Sequence, residues 1–204
     1  MPPTEIQKLQ NLENLMGQPF SFFVGKISDE HFEKICSKNR DFKIEQTAEG
    51  ELILMPPTLP DSGWKNSDLN TDVNIWNRKS RKGIVFDSST YFTLPNDARR
   101  SPDVAWMRRE KWDGLTASQR EKVSRLVPDF VIELRSSTDS VKTLQAKMKE
   151  YIENGVKLGW LIDPKNRKVH IYRANGDTEI LENPETLDGE DILIGFRLNV
   201  QEIF

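Results

Sequence analysis

The stretch from residue 130 to residue 162 constrains the fold more than any other. Phe130–Leu134 is a near-continuous apolar run of strand length, and Ser136–Asp139 supplies polar residues suited to capping a helix. Val141, Leu144, Met148, Tyr151 and Ile152 then recur at helical spacing up to the stop signal Asn154-Gly155, and Gly159–Ile162 forms a second apolar strand. Strand, helix and strand in that order predict a parallel crossover, right-handed by the usual rule. The first of these strands contains an anomaly, Glu133. An ionised carboxylate among apolar side chains costs several kcal/mol unless it is hydrogen-bonded, paired or bound to a metal. Asp103 poses the same problem at the start of the apolar run Val104–Met107. Two such acids on neighbouring strands can share a divalent cation.

The other elements alternate around this unit. Thr4–Met16 has the spacing of a short amphipathic helix, residues 19–25 read as an apolar link, and Ser28 caps a helix holding Phe32, Ile35 and Cys36. Phe42–Gln46 and Glu51–Met55 read as a hairpin, residues 58–63 as a loop, and Ser67–Lys79 as a helix whose end carries Arg78, Lys79, Arg81 and Lys82. That cluster is a candidate phosphate-contacting patch, or a solvated helix end favoured by the helix dipole. Ile84–Asp87 and Tyr91–Leu94 are short extended pieces. Thr116–Leu126 is a polar helical excursion, Lys168–Tyr172 an alternating strand, and Ile192–Phe204 an edge element packing back on the body. The expected architecture is a single mixed sheet flanked by helices, α/β or α+β in class. It divides into an N-terminal helix and link over residues 1–27 and a main domain over 28–204.

Composition excludes rather than assigns. A formal net charge of −3 in 204 residues argues against coating nucleic acid by overall charge, while leaving room for a local basic groove. The single cysteine, Cys36, rules out an intramolecular disulfide and suits a reducing cytoplasm. No membrane span is expected, because no apolar run approaches the required length. The buried acids point to metal-assisted hydrolysis. Carboxylate oxygens suit a hard cation such as Mg²⁺ or Mn²⁺, and phosphodiesters are the natural substrate class.

The ordered set SPD (101–103), VIELRS (131–136), LQAKMKEY (144–151) and GWLIDP (159–164) resembles the PD-(D/E)XK restriction-endonuclease-like superfamily. More narrowly, it is similar to the Uma-type family of putative restriction endonucleases, over roughly residues 28 to 204. The resemblance implies a central mixed β-sheet flanked by helices, with an N-terminal helical and hairpin addition. It also implies a DNA substrate and Asp103 and Glu133 as metal ligands. Arg135 departs from the superfamily pattern, since it stands where the lysine two residues after the acid is usual and cannot act as a base. Lys147 matches a lysine moved to the following helix, where desolvation is expected to lower its pKa so that it can act on the attacking water. A further N-terminal acid is common in the superfamily, and Glu45 and Glu51 are the candidates by position, although either would suit the exposed face of a hairpin.

Plainer readings exist for each residue. Glu133 could pair with Arg99 or Arg135, Asp103 could be a turn residue, and Lys147 could flank the helix stripe with its stem buried. Gln145 and Tyr151 flank the same surface as supporting residues, and Trp106, Trp112 and Trp160 read as packing. A homodimer through the N-terminal helix is expected, and the alternative function is a catalytically silent nucleic-acid-binding or protein-interaction member of the same fold.

Overall fold

The computed structural model describes residues 19–121 and 125–204. In chain order its elements are β1 (Phe20–Phe23), α1 (Asp29–Lys38), β2 (Lys43–Gln46), β3 (Glu51–Met55), α2 (Pro60–Ser80), β4 (Gly83–Asp87), β5 (Phe92–Thr93) and β6 (Arg99–Arg100). There follow β7 (Val104–Arg108), α3 (Arg109–Asp113), α4 (Ala117–Glu121), β8 (Phe130–Leu134), α5 (Val141–Glu153), β9 (Leu158–Asp163), β10 (Lys168–Arg173), β11 (Thr178–Glu182), β12 (Thr186–Asp188) and β13 (Arg197–Asn199).

The main sheet has six strands in the order β11-β10-β9-β8-β7-β4. β8 and β9 run parallel, joined by α5 as the sequence predicts, and the other pairs are antiparallel. Strand alternation sorts the side chains onto two faces. Val104, Trp106, Phe130, Ile132, Trp160 and Ile162 pack under α2 and the C-terminal segment. Ala105, Met107, Val131 and Leu161 pack against Met148 and Tyr151 of α5. By the same alternation Asp103 and Glu133 belong to the α5 face. Gly159 lets the helix approach closely, since a Cβ there would sit 2.5 Å from the Met148 methyl.

Several expectations are corrected. The sheet is not single: the hairpin belongs to a second, five-stranded sheet ordered β1-β3-β2-β6-β5. The stretch taken for an apolar link contains β1, which pairs antiparallel with β3. The helix expected from Ser67 begins seven residues earlier, because Pro60 is tolerated at a first helical position whose N–H needs no partner, and Asp61 in the first turn favours the dipole. Helix α5 starts at Val141, with the Ser140 hydroxyl accepting the Thr143 N–H. The C-terminal tail is not an edge element. Leu193, Phe196, Leu198, Val200 and Ile203 are buried on the face of the main sheet, whose edges are β11 and β4, and β13 pairs with β12 in a separate two-stranded sheet. The amphipathic Thr4–Met16 segment, and the dimer ascribed to it, lie outside the described residues.

The two sheets are stitched together by residues 99–104. Arg99 on β6 pairs with Gln46 on β2, and Val104 on β7 pairs with Ile132 on β8. Between them the Ser101 Oγ lies 2.8 and 2.9 Å from the carbonyl oxygens of Ser88 and Thr90, between which its one proton is shared, fixing the crossing. Residues from both sheets therefore converge on Asp103.

Candidate metal and phosphodiester site

Asp103 stands one step beyond the Val104–Ile132 pair, so the register places it opposite Glu133. Its Oδ2 accepts the Leu134 N–H at 2.9 Å and its Oδ1 accepts from Lys43 Nζ at 3.2 Å. Both acids line a cleft of about 770 Å³ together with Lys43 and Lys147. The reading of Asp103 as a mere turn residue does not account for these contacts.

Lys147 lies three residues after Leu144 and four before Tyr151, on the buried side of α5. Its Nζ is 2.8 Å from Glu133 Oε1 and 2.8 Å from Glu45 Oε1. The Tyr151 hydroxyl donates to Glu133 Oε1 at 2.9 Å. Glu45 is further held by the Ser101 N–H at 2.9 Å and by Arg100 at 3.2 Å. Arg100 in turn donates to Glu150, which also accepts from Asn96. Glu133 therefore pairs with neither Arg99 nor Arg135.

Electrostatics within this network differ sharply between neighbours. Burial pushes the Glu133 carboxyl up to about 7, aided by Asp103 and Glu45 and opposed by Lys147 and Lys43. For Glu45, burial pushes upward too, but Lys147, Arg100 and Lys43 together overcome it and hold the group at about 2. Burial alone would depress Lys147, as expected from the sequence. The two carboxylates outweigh it, so the amine is held protonated, with its pKa raised rather than lowered.

The chemistry of the donor set fits a hard divalent cation. Glu133 Oε1 is committed to Tyr151 and Lys147, whereas no hydrogen bond among the described residues engages Oε2. Asp103 contributes carboxylate oxygens from the adjacent strand. No group of three or more His, Cys, Asp or Glu side chains suited to a metal occurs among the described residues. Two carboxylates plus water and substrate oxygens are the usual complement for Mg²⁺.

The other candidates are distributed unevenly. Glu45, expected on an exposed hairpin face, is 2 % exposed because that face packs toward the main sheet. Glu51 lies away from the network, accepting from the Ser21 hydroxyl at the β1–β3 pair. Arg135 lies just past β8 and is taken up by Asp163 at 3.0 and 3.1 Å. Gln145 is half-buried and does not line the cleft. Arg78, Lys79, Arg81 and Lys82 surround the end of α2 and the start of β4, while the cleft is lined by Leu59, Ser62 and Asn66 from the other end of that helix. Along the helix axis Asn66 and Arg78, the nearest helical members of the two groups, are about 18 Å apart. Lys43, Arg100 and Glu150 escaped the sequence reading. The available signal was the Arg99-Arg100 pair beside Ser101-Pro102-Asp103, since both guanidinium groups are buried and required acceptors.

Comparison with known proteins supplies the remaining observations. The model of the Uma2 family, described as "Putative restriction endonuclease", matches residues 29–201. A search of solved structures matches the crystal structure of a putative nuclease belonging to DUF820 from Anabaena variabilis ATCC 29413. The TM-score is 0.67 and the identity 21 %, over 79 % of this chain and 89 % of the other. At that identity the likeness speaks for the fold. No curated protein matches the sequence.

Proposed function

The chain belongs to the Uma2 family of putative restriction endonucleases, and from that premise we propose that it is a metal-dependent endonuclease hydrolysing DNA phosphodiester bonds. One observation carries the reading: Asp103 and Glu133 face each other on adjacent strands, with the Lys147 ammonium 2.8 Å from Glu133, all in one cleft. Asp103 and Glu133 would hold Mg²⁺ or Mn²⁺, which when bound supplies a Lewis acid for a phosphoryl oxygen and a water of lowered pKa.

This chain's own residues do the rest. Lys147 has three N–H donors, of which Glu45 and Glu133 take two. The third is left for the attacking water or for a non-bridging phosphoryl oxygen. Held protonated, Lys147 orients the nucleophile or stabilises developing charge; it does not serve as a base. Tyr151 fixes the Glu133 carboxylate so that Oε2 turns to the cleft, and Glu45, anchored by Arg100 and the Ser101 N–H, fixes the ammonium.

Calorimetric titration of Mg²⁺ and Mn²⁺ into the wild type and Asp103→Asn, alongside cleavage of labelled DNA, tests the proposal. The wild type should bind one ion and cut, and the variant should do neither. A wild type that binds no divalent ion at millimolar concentration would sink it.

A further inference from the structure

The cleft also bears on which form of DNA can enter it. Accepting the nuclease reading above, we infer that the substrate is a single strand or an unpaired region rather than continuous duplex.

The first ground is charge. Lys43 already lies against Asp103, and Lys147 against Glu45 and Glu133. Arg40 is thereby left as the one cleft-lining cation with no carboxylate partner among the described residues, while Asp41 and Asp139 add negative charge to the same lining. A duplex presents one negative charge per roughly 1.7 Å of axis, about twice the density of one strand, and is ordinarily met by many Lys and Arg contacts. The cluster Arg78, Lys79, Arg81 and Lys82 could supply such contacts, but it lies at the far end of α2.

The second ground is shape and surface. A duplex-specific interface covers roughly 1,000–2,500 Å² of protein. The cleft, of about 770 Å³, falls in the range that encloses a compact ligand, such as one or two nucleotides. The acids lie at its floor, where Glu133 is only 3 % exposed, so the scissile phosphate must descend between the walls. The rim offers rings and apolar side chains. Phe42 is 37 % and Leu59 59 % exposed, and Tyr91 is half-buried. Phe42 meets Phe20 edge-on, with centroids 6.1 Å apart, and Tyr91 meets Phe32 at 5.1 Å, so neither ring is loose. Fixed aromatic side chains beside a strand path are the means by which unpaired bases are held, and stacking tolerates any base.

The test uses the full chain and one labelled strand of roughly 12 nucleotides, offered alone, annealed to its complement, or annealed with a central mismatch bubble. Cleavage in Mg²⁺ should be at least about tenfold faster on the single strand and in the bubble than on the duplex. Fluorescence anisotropy without added metal reads binding independently of chemistry. The single strand should bind tighter, with a salt slope no steeper than about −2, as expected for three or fewer phosphate contacts. Phe42→Leu keeps an apolar side chain at the rim and should weaken that binding about fivefold or more through lost stacking; its thermal transition checks that it folds. Equal or preferential cutting and binding of duplex would overturn the inference. Preferential binding of the single strand without cleavage would uphold the inference and bring down the nuclease reading instead. Absence of both cleavage and preference would remove both.

Discussion

Two buried carboxylate–cation pairs flank the same strand, and only one belongs to the cleft. At the end of β8, Arg135 reaches Asp163, whose oxygens also accept the backbone N–H and side-chain amide of Asn166. Each oxygen of that carboxylate already accepts two hydrogen bonds from the described residues. At Glu133 the pairing is incomplete. Oε1 takes Lys147 and Tyr151, and Oε2 remains without a hydrogen bond among the described residues. A buried acid alone therefore does not mark a site; a buried acid with bonding capacity left over, turned toward a cleft, does. The fixed pair holds two strands to a turn, and the open one can accept a ligand.

The largest expected effect comes from closing the open pair. Glu133→Gln keeps the shape of the side chain but removes a ligand charge, and should abolish metal binding by calorimetry and lower single-turnover cleavage by about 1,000-fold or more. Lys147→Ala should lose about 100-fold in the same assay while still binding metal, because it removes a charge-stabilising donor and not a ligand. Full activity in that variant would show that the helix lysine has no part in the chemistry.

Arg135→Ala breaks the saturated pair and leaves Asp163 buried without its cation. It should cost about 3 kcal/mol in denaturant unfolding, with metal affinity of the folded protein unchanged. Loss of metal binding at full stability would reverse the contrast drawn between the two pairs. A smaller effect concerns acidity. Because Glu133 sits at about 7, its proton must leave when a cation binds, so Mg²⁺ affinity should rise by about tenfold between about pH 6 and pH 8, with proton release detectable in buffers of different ionisation enthalpy. Smallest of all, replacing Arg78, Lys79, Arg81 and Lys82 by alanine should change stability by under about 1 kcal/mol and cleavage of short strands by no more than about twofold.

The sequence carried the parts of this site that depend on neighbours in the chain. Asp103 and Glu133 stand out because each interrupts an apolar run, and Lys147 because it falls between Leu144 and Tyr151 on a helix whose period is plain. Between Glu45 and Glu51 the sequence left the choice open for a physical reason. Alternation along Lys43–Gln46 says only that Glu45 lies opposite Ile44, and whether that side faces water depends on docking of a second sheet, which period-two patterning does not encode. Arg135 shows the reverse case. Its position two residues after Glu133 matched a familiar signature, but its partner Asp163 lies on the next strand, 28 residues along. The direction of the Lys147 shift depends on the same docking: burial alone lowers it, and Glu133 together with Glu45, which arrives from the second sheet, raises it. The start of α2 at Pro60 was lost because proline, serine and glycine together read as a loop unless the first-turn position is considered.

The bond from Lys147 to Glu45 joins residues 102 positions apart. The β2–β3 hairpin and the β8–α5–β9 unit can each form from nearby residues, whereas this contact requires the intervening chain to close on itself, a slower event than any local one. During refolding, helical circular dichroism should therefore return before the complete charge network does. The same ordering holds during synthesis. A nascent chain displays Glu45 and Asp103 well before Glu133 and Lys147 have been made, so neither the ligand pair nor its clamped ammonium can exist until most of the polypeptide has left the ribosome. Under the function proposed above, a chain made beside its own host's nucleic acid would gain its cutting centre only after Lys147 has emerged and closed onto Glu45.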